Sequence, residues 1–291
     1  MQPEVFFLPA ASGQRFCLHY PAQGPFILGL VLYIHPFAEE MNKARRMASL
    51  QARALAQAGY AVLQIDLLGC GDSSGDLQDA SWQSWVNDVV QGCHWLRSRT
   101  HTSGAGPDPV PLWLWGLRAG CLLAVAAADQ LNEACHFVFW QAPATGKPLL
   151  QQFMRLKVAG DMLGGQAKGV MERLHQQLAR GASLEIAGYT LTPVLANGLA
   201  QTVLAPPADR GPMQRLEWFE LSTQEGALMS PASYNMIAQW QQAGFEVRSH
   251  RVRGPAFWKT AEIEEAPALI EATVAALSNA VQLHRQEARR A

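Results

Sequence analysis

The stretch LWLWGLRAGCLL, residues 112–123, decides the fold of this chain. Its first four residues are apolar, as expected of a buried strand, and its last residues are apolar, as expected of a buried helix. Gly116 and Gly120 lie where a sharp turn has no room for a side chain. Arg118 lies midway between them. The stretch therefore predicts a strand, a tight Gly-x-Arg-x-Gly turn and a helix in direct succession.

This succession resembles the nucleophile elbow of α/β-hydrolases, whose middle residue is a Ser, Cys or Asp. A guanidinium stays protonated at any ordinary pH and cannot attack a carbonyl carbon. The surrounding pattern therefore predicts a hydrolase scaffold, but Arg118 argues against ordinary hydrolase chemistry at the elbow.

The composition indicates a globular protein with a full apolar core. The chain has 291 residues, 49% of them hydrophobic, and a formal net charge of −1. Basic residues cluster only at 284–290 (HRQEARR), which favours a solvated helix end over a nucleic-acid site. The apolar run 26–34 is much shorter than the roughly 20 residues that span a bilayer. Because the first residues lack a leader pattern, we expect a soluble, cytoplasmic protein with no membrane span.

The five cysteines predict free thiols. Their number is odd and their spacing is unlike that of metal ligands, so the sequence implies no metal site and no cofactor. Cys121 follows the elbow on an apolar helix and is expected to be a core thiol. Cys70 lies in a Gly-rich loop where exposure is an open alternative, but no histidine is adjacent in sequence to activate it.

Strand and helix patterns alternate along most of the chain, which predicts an α/β-hydrolase fold with a mostly parallel, doubly wound sheet. The expected strands are Val5–Leu8, Arg15–Tyr20, Phe26–Ile34, Tyr60–Asp66, Leu112–Trp115, His136–Trp140, Leu216–Leu221 and Phe245–Val252. The expected helices are Asn42–Ala58, Trp82–Arg97, Arg118–Ala128, Ser233–Ala243 and Ile263–Leu283.

The alternation breaks between residues 148 and 212. This stretch contains two helical patterns, Leu149–Ala159 and Val170–Ala179, and no clear buried strand. We expect residues 148–212 to form an inserted helical cap over a core made of residues 1–147 and 213–291.

Two loops are expected beside the elbow. The first, HPFAEE at residues 35–40, supplies an oxyanion N–H in this fold and would place His35 and Phe37 there. A plain strand-to-helix connection is the alternative, and a helix N-terminus favours the carboxylates of Glu39 and Glu40 in any case. The second loop, DLLGCGDSSG at residues 66–75, contains Asp72. It favours a structural loop over a phosphate cradle, because no Gly-Lys follows it.

The sequence offers no clear acid and no clear base for a catalytic triad. After strand Leu216–Leu221 the loop offers only Glu225, and after strand Phe245–Val252 it offers no histidine. His250 lies inside that strand and is expected to be half-buried rather than catalytic.

Four segments together resemble the second type of α/β-hydrolase associated with the exosortase A system: Pro36–Met47, Asp66–Ser73, Gly116–Gly120 and Ala256–Ile263. The resemblance covers nearly the whole chain. It implies a protein found beside exopolysaccharide and protein-sorting genes in Gram-negative bacteria, with that machinery as a partner. Members of the family carry arginine at the elbow and are called hydrolases by fold.

Three functions remain open at this stage. An ester, thioester or amide hydrolase would use His35, Glu39, Glu40 and Asp72 on water. A binding protein would hold an anionic or acylated small molecule through Arg118 at the helix N-terminus. Its expected ligand contacts are Arg118, Leu117, Phe37, Glu40 and Trp258. In a silent scaffold, Arg118 would only close the pocket.

Burial of the Arg118 charge adds a geometric expectation. A partly enclosed guanidinium must be paired, since an unpaired charge costs several kcal/mol. We expect an ion pair within about 4 Å between Arg118 and Glu39, Glu40 or Asp72.

Overall fold

The computed structural model describes residues 2–100, 110–163, 169–207 and 214–288. Its strands are β1 (Glu4–Pro9), β2 (Gln14–Tyr20), β3 (Gly29–Ile34), β4 (Tyr60–Ile65), β5 (Leu112–Leu117), β6 (Cys135–Trp140), β7 (Leu184–Ile186), β8 (Tyr189–Leu191), β9 (Arg215–Ser222) and β10 (Glu246–Arg253). Its helices are α1 (Glu39–Gln57), α2 (Trp82–Thr100), α3 (Ala119–Ala128), α4 (Lys147–Leu163), α5 (Val170–Ala179), α6 (Pro193–Gln201), α7 (Pro231–Gln242) and α8 (Pro267–Ala288).

One eight-stranded sheet organises the molecule, in the order β1-β2-β4-β3-β5-β6-β9-β10. The pairs β1–β2 and β2–β4 are antiparallel, and every other pair in this sheet is parallel. Strands β3 and β5 are buried along their whole length because helices cover both faces of the sheet. The predicted fold class, a mostly parallel doubly wound sheet, is confirmed.

The two faces of the sheet have separate apolar layers. One layer includes buried residues of α2, α3 and α7, and the other includes buried residues of α1 and α8. Helices α1 and α3 both begin directly after parallel strands, β3 and β5, which are neighbours in the sheet. Their N-termini therefore meet at the carboxyl edge of the sheet, where open α/β sheets place their sites.

Residues 148–212 contribute no strand to the eight-stranded sheet in their described part. They contain α4, α5 and α6, and also β7 and β8, which form an antiparallel hairpin of their own. The sequence patterns did not predict this hairpin or α6. Helix α6 lies close to α2, since a Cβ on Gly198 would lie 2.5 Å from the Cβ of Trp82. The assignment of residues 148–212 as a cap stays a prediction.

Several element boundaries differ from the sequence expectation. Strand β3 begins at Gly29 and not at Phe26, whose side chain is exposed. Helix α1 begins at Glu39, three residues before the expected Asn42, so that both Glu39 and Glu40 lie in its first turn. Helix α8 begins at Pro267, a residue suited to a first helical position because its missing N–H needs no partner there.

Among the described helices, none combines the length and the apolar character required to cross a bilayer.

Candidate functional site

Arg118 lies in the turn between β5 and α3 with a strained backbone. Its φ is 55° and its ψ is −115°, a combination that costs an L-residue about 1–3 kcal/mol. Two hydrogen bonds fix the turn: the Arg118 N–H donates to the Trp140 carbonyl (3.0 Å), and the Cys121 N–H donates to the Arg118 carbonyl (3.0 Å). The tight turn between strand and helix that the sequence predicts is confirmed.

The two glycines of the elbow are required by close backbone approach. A Cβ on Gly116 would lie 2.5 Å from the backbone nitrogen of Cys121, and a Cβ on Gly120 would lie 2.1 Å from the carbonyl oxygen of Ile34. The second approach packs α3 against the end of β3. Because the chain continues from β3 into α1, it also brings the first turn of α1 next to Arg118.

Arg118, Glu40 and Gln152 form a closed ring of hydrogen bonds, called the elbow ring here. Arg118 Nη2 lies 3.1 Å from Glu40 Oε1, and Arg118 Nε donates to the same carboxylate at 3.3 Å. Arg118 Nη2 also donates to Gln152 Oε1 (2.7 Å), while Gln152 Nε2 donates to Glu40 Oε1 (3.0 Å). The predicted ion pair is confirmed, with Glu40 as the partner. Since Gln152 belongs to α4, the ring ties α4 to the elbow.

The charges of the elbow ring are largely removed from water. The side chains of Arg118 and Glu40 are 15% and 7% exposed. Burial raises the pKa of Glu40, and Arg118, together with its hydrogen bonds and that of Gln152, opposes the rise. The Arg118 guanidinium carbon lies 5.8 Å from the ring centroid of Trp258, a distance at which a cation–π attraction operates. Trp258 therefore lies beside Arg118, and its assignment as a ligand contact stays a prediction.

Glu39 lies beside the elbow ring with an unsatisfied carboxyl oxygen. Its Oε2 is buried and has no hydrogen-bond partner in the described part of the chain. Burial, with a smaller contribution from the neighbouring Glu40, raises the pKa of Glu39 to about 7, although a hydrogen bond to its own backbone and the charge of Arg118 oppose the rise. Glu39 is thus a carboxyl group that exchanges its proton near neutral pH.

The space at the elbow ring is nearly filled. The cavity there has a volume of about 10 Å³, room for one water molecule at most. Its lining combines the carboxylates with apolar side chains: Phe37, Glu39, Glu40, Leu149, Gln152 and Phe153. The ring of Phe37 packs edge-on against Phe153 of α4 and against Trp85 of α2. In this state α4 closes the site.

His35 is placed away from the elbow ring. Its Nδ1–H donates to the Pro36 carbonyl (2.8 Å), and its Nε2 accepts from the Leu67 N–H (3.3 Å). This pairing requires the neutral ring, and burial accordingly lowers the pKa of His35. Both ring nitrogens are occupied by the backbone, so His35 holds the loops after β3 and β4 together.

The side chains of Asp72 and Leu117 also take no part in the elbow ring. Asp72 is exposed, and its backbone N–H donates to Asp66 Oδ2 (3.0 Å), an oxygen that also pairs with Arg45 (2.8 Å). Leu117 is fully buried in the apolar layer beneath α1 and α8. The assignments of His35, Asp72, Leu117 and Phe37 to catalysis or ligand binding stay predictions.

The residues considered for the acid and base have other partners. The Glu225 side chain is 90% exposed and lies 3.9 Å from Arg253. His250 is 26% exposed, contacts Glu217 at 2.6 Å and stacks on Phe219. Among the described side chains, no histidine hydrogen-bonds to Arg118 or Glu40.

The cysteines are free and buried, which confirms the prediction of free thiols. Cys121 is a core thiol, as expected, and its Sγ donates to the Gly116 carbonyl (3.2 Å). Cys70 is 8% exposed and therefore closed to solvent, which removes the alternative of an exposed thiol in its loop. Burial raises the pKa of both thiols and leaves them poor nucleophiles.

A mostly parallel sheet whose β5 enters α3 through a strained elbow defines this protein as an α/β-hydrolase by fold. Comparison with known families agrees and is more specific. The chain belongs to the serine aminopeptidase S33 family of hydrolases, whose model matches residues 27–187.

Individual relatives are distant. The thermostable monoacylglycerol lipase of Bacillus sp. (strain H-257) is 28% identical over 177 residues, a match that covers 59% of this chain and 62% of that protein. Among solved structures, Est1E from Butyrivibrio proteoclasticus with bound ferulic acid has a TM-score of 0.62 at 13% identity, with 94% of this chain and 96% of that chain covered. A soluble variant of monoglyceride lipase from Saccharomyces cerevisiae, in complex with a substrate analogue, has a TM-score of 0.61 at 15% identity, with 98% and 95% covered. These structures establish the fold.

The elbow ring generates a stability prediction. Arg118→Met should lower the free energy of unfolding by about 3–5 kcal/mol, because it leaves the Glu40 carboxylate buried without a countercharge. Adding Glu40→Gln should recover most of that loss, since no charge then remains. Urea unfolding of the two single variants and the double variant measures both effects.

The control is Arg46→Met, which removes a surface cation of α1, the helix that carries Glu40; Arg46 pairs with Glu265. It should cost less than about 1 kcal/mol. An Arg118→Met variant as stable as this control would contradict the assigned role of the ion pair.

Glu39 generates a pH prediction. The folded protein holds the Glu39 proton with a pKa of about 7, against an ordinary value of 4.5, so the folded state binds more protons in between. The contribution of Glu39 to stability should therefore fall as pH rises from about 4.5 to about 7 and level off above that range. After allowance for solvent screening, Glu39 should contribute about 1–2 kcal/mol of this loss.

Glu39→Gln should flatten the profile by that amount, while the contribution of Glu40 remains in both proteins. Urea unfolding at half-unit pH steps provides the comparison. Parallel profiles for the parent protein and Glu39→Gln would show that Glu39 titrates normally.

Proposed function

We propose that this chain is a non-hydrolytic member of its family that binds an anionic acyl ligand, with Arg118 as the anchor for the ligand's carboxylate or phosphate. The observation that carries the proposal is the elbow ring. A permanent cation occupies the position from which this fold delivers its nucleophile, and it is held there by Glu40 and Gln152. This excludes attack from the elbow and offers a recognition group instead.

The contact with Gln152 supports an anion as the ligand. Gln152 Oε1 accepts from Arg118 Nη2 at 2.7 Å, and a carboxylate or phosphate oxygen at the same position would make a stronger, charge-assisted bond. The backbone N–H groups at the start of α3 add a favourable field for negative charge. Because Gln152 is neutral, a ligand can take its place beside Arg118 without leaving a buried, unpaired charge in the protein.

Ligand entry then depends on α4. The elbow cavity of about 10 Å³ admits no acyl chain, so the helix that carries Gln152 must move away. This agrees with the prediction that residues 148–212 form a cap. The apolar side chains of Phe37, Leu149 and Phe153, which line the closed cavity, would then face the ligand's acyl chain.

The relatives support an acyl ligand. Two of them are named as lipases of monoacylglycerol or monoglyceride, and a third was solved with ferulic acid, a carboxylic acid. The resemblance to the exosortase A-associated type adds a cellular setting, with exopolysaccharide or protein-sorting machinery as the partner of a cytoplasmic accessory protein. Within that setting, an acylated precursor is the class of molecule that Arg118 would recognise.

A second function, hydrolysis by nonstandard groups, is favoured by Glu39. A carboxyl group with a pKa of about 7 and a free Oε2 is suited to act as a general base on water. Arg118 would then stabilise the oxyanion. The substrate would be an ester, thioester or amide.

The two functions predict different results with one set of variants. For the binding protein, fluorophosphonate probes label no serine, p-nitrophenyl esters are not turned over, and decanoate binds in calorimetry. Arg118→Met abolishes this binding. Gln152→Ala strengthens it by roughly three- to tenfold, because the ligand no longer competes with a hydrogen bond.

Arg46→Met serves again as the control for lost positive charge and should bind decanoate normally. Turnover that disappears in Glu39→Gln would establish the hydrolase instead. Stoichiometric labelling of any serine would contradict both functions.

A further inference from the structure

A second cavity lies apart from the elbow ring, between α1 and the face of the sheet formed by β2, β3 and β4. Its volume is about 110 Å³. We call it the Arg45 cavity; it is lined by Leu18, Tyr33, His35, Met41, Arg45, Ala48, Ser49, Gln64, Ile65 and Asp66. It exists because α1 presents the short side chains of Ala48 and Ser49 to this face, which leaves the space unfilled. None of the residues of the elbow ring lines it.

The polar groups of the Arg45 cavity are mainly hydrogen-bond donors. The amide Nε2 of Gln64 is buried and has no partner in the described part of the chain. Arg45 uses one of its five N–H groups for Asp66, at 2.8 Å. Tyr33, which is 5% exposed, and Ser49 each bring a hydroxyl group to the lining. An occupant that supplies acceptor oxygens would satisfy these donors.

Asp66 does not oppose a negative ligand as strongly as its position suggests. Its Oδ2 accepts hydrogen bonds from Arg45 (2.8 Å) and from the Asp72 backbone N–H (3.0 Å). The carboxylate is therefore already compensated within the protein. The remaining N–H groups of Arg45 and the hydroxyl groups stay available for a second carboxylate.

The other side of the Arg45 cavity is apolar, and its size limits the ligand. Leu18 and Met41 line it, and the His35 ring nitrogens are occupied by the backbone. Since a protein cavity of about 150 Å³ holds benzene, which has six non-hydrogen atoms, 110 Å³ corresponds to about four or five non-hydrogen atoms. A carboxylate with an alkyl end of one or two carbons fits this volume. Its charged end suits the polar side of the cavity, and its alkyl end suits the apolar side.

We propose that the Arg45 cavity is a binding site for a short-chain carboxylate of the size of acetate or propionate. The carboxylate accepts from Arg45 and from the hydroxyl group of Tyr33, and a rotation about the last side-chain bond of Gln64, a broad torsion, turns Nε2 towards it. The alkyl end lies against Leu18 and Met41. This site goes beyond the function proposed for Arg118 and does not depend on it.

The test is a nuclear magnetic resonance titration of the full chain labelled with ¹³C at the methionine methyl groups. Met41 lines the Arg45 cavity, and its signal is assigned by its absence in Met41→Leu. Acetate and propionate should shift this signal saturably, with a dissociation constant of about 1 mM, since so few atoms limit the affinity. Hexanoate, which exceeds the volume, and acetamide, which has the size of acetate but carries no charge, should not shift it.

Two substitutions test whether the ligand lies in the Arg45 cavity, and neither of them leaves a buried charge without its partner. Tyr33→Phe and Gln64→Met should each weaken propionate binding about tenfold, as expected for the loss of one hydrogen bond to a charged group. Circular dichroism and thermal melting establish that both variants are folded. Arg46→Met, which removes the neighbouring surface cation of α1 and leaves the lining of the cavity intact, should bind propionate like the parent protein.

Three results would overturn the proposal. The first is the absence of a saturable Met41 shift with either short carboxylate, as for a cavity that holds only water. The second is an equal shift with acetamide. The third is unchanged affinity in both Tyr33→Phe and Gln64→Met, or loss of binding in Arg46→Met.

Discussion

The ion pair between Arg118 and Glu40 is the interaction on which the site depends. A cation at the N-terminus of α3 is disfavoured by the helix dipole by about 0.3–1 kcal/mol, and its burial adds to that cost. Glu40 lies in the first turn of α1, where the helix dipole favours a carboxylate. Its negative charge offsets both the unfavourable dipole interaction of Arg118 and the cost of burying the guanidinium. Because Glu40 and Gln152 come from α1 and α4, the charge of one residue fixes the positions of three helices. The near closure of the elbow cavity follows from this arrangement.

The elbow keeps its strained geometry although its residue cannot act as a nucleophile. The φ of 55° at Arg118 and the tight contacts at Gly116 and Gly120 maintain a turn that costs energy. Such strain is usually retained at functional sites, where it aims a side chain into the pocket. Here it aims a guanidinium at Glu40, Gln152 and the face of Trp258. That geometry suits the recognition of an anion better than chemistry at the elbow, and it is the physical basis of the proposed binding function.

The sequence predicts those parts of the site that are set by local rules. The Gly-x-Arg-x-Gly pattern between an apolar strand and an apolar helix predicts the elbow, and the need to pair a buried charge predicts a carboxylate beside Arg118. The choice of Glu40 over Glu39 depends on where α1 begins, and helix boundaries are set to within a residue or two only by tertiary packing. Gln152 gives no signal in the sequence, because a glutamine on an amphipathic helix normally faces water and its role appears only when α4 is placed over the elbow. The β7–β8 hairpin was missed because its strands have three residues each, too few for a periodic pattern.

Hydrogen–deuterium exchange tests most directly whether the Arg118 charge holds α4 over the elbow. The measurement compares the backbone amides of α4 and of the first turn of α1 between the parent protein and Arg118→Met, under conditions in which both are folded. Helix α7, which contributes nothing to the elbow ring, serves as the internal reference. We predict that exchange in α4 becomes at least about tenfold faster in Arg118→Met, equivalent to about 1.4 kcal/mol of lost protection, while α7 is unchanged. Unchanged protection of α4 would show that apolar packing holds this helix in place and would contradict the account.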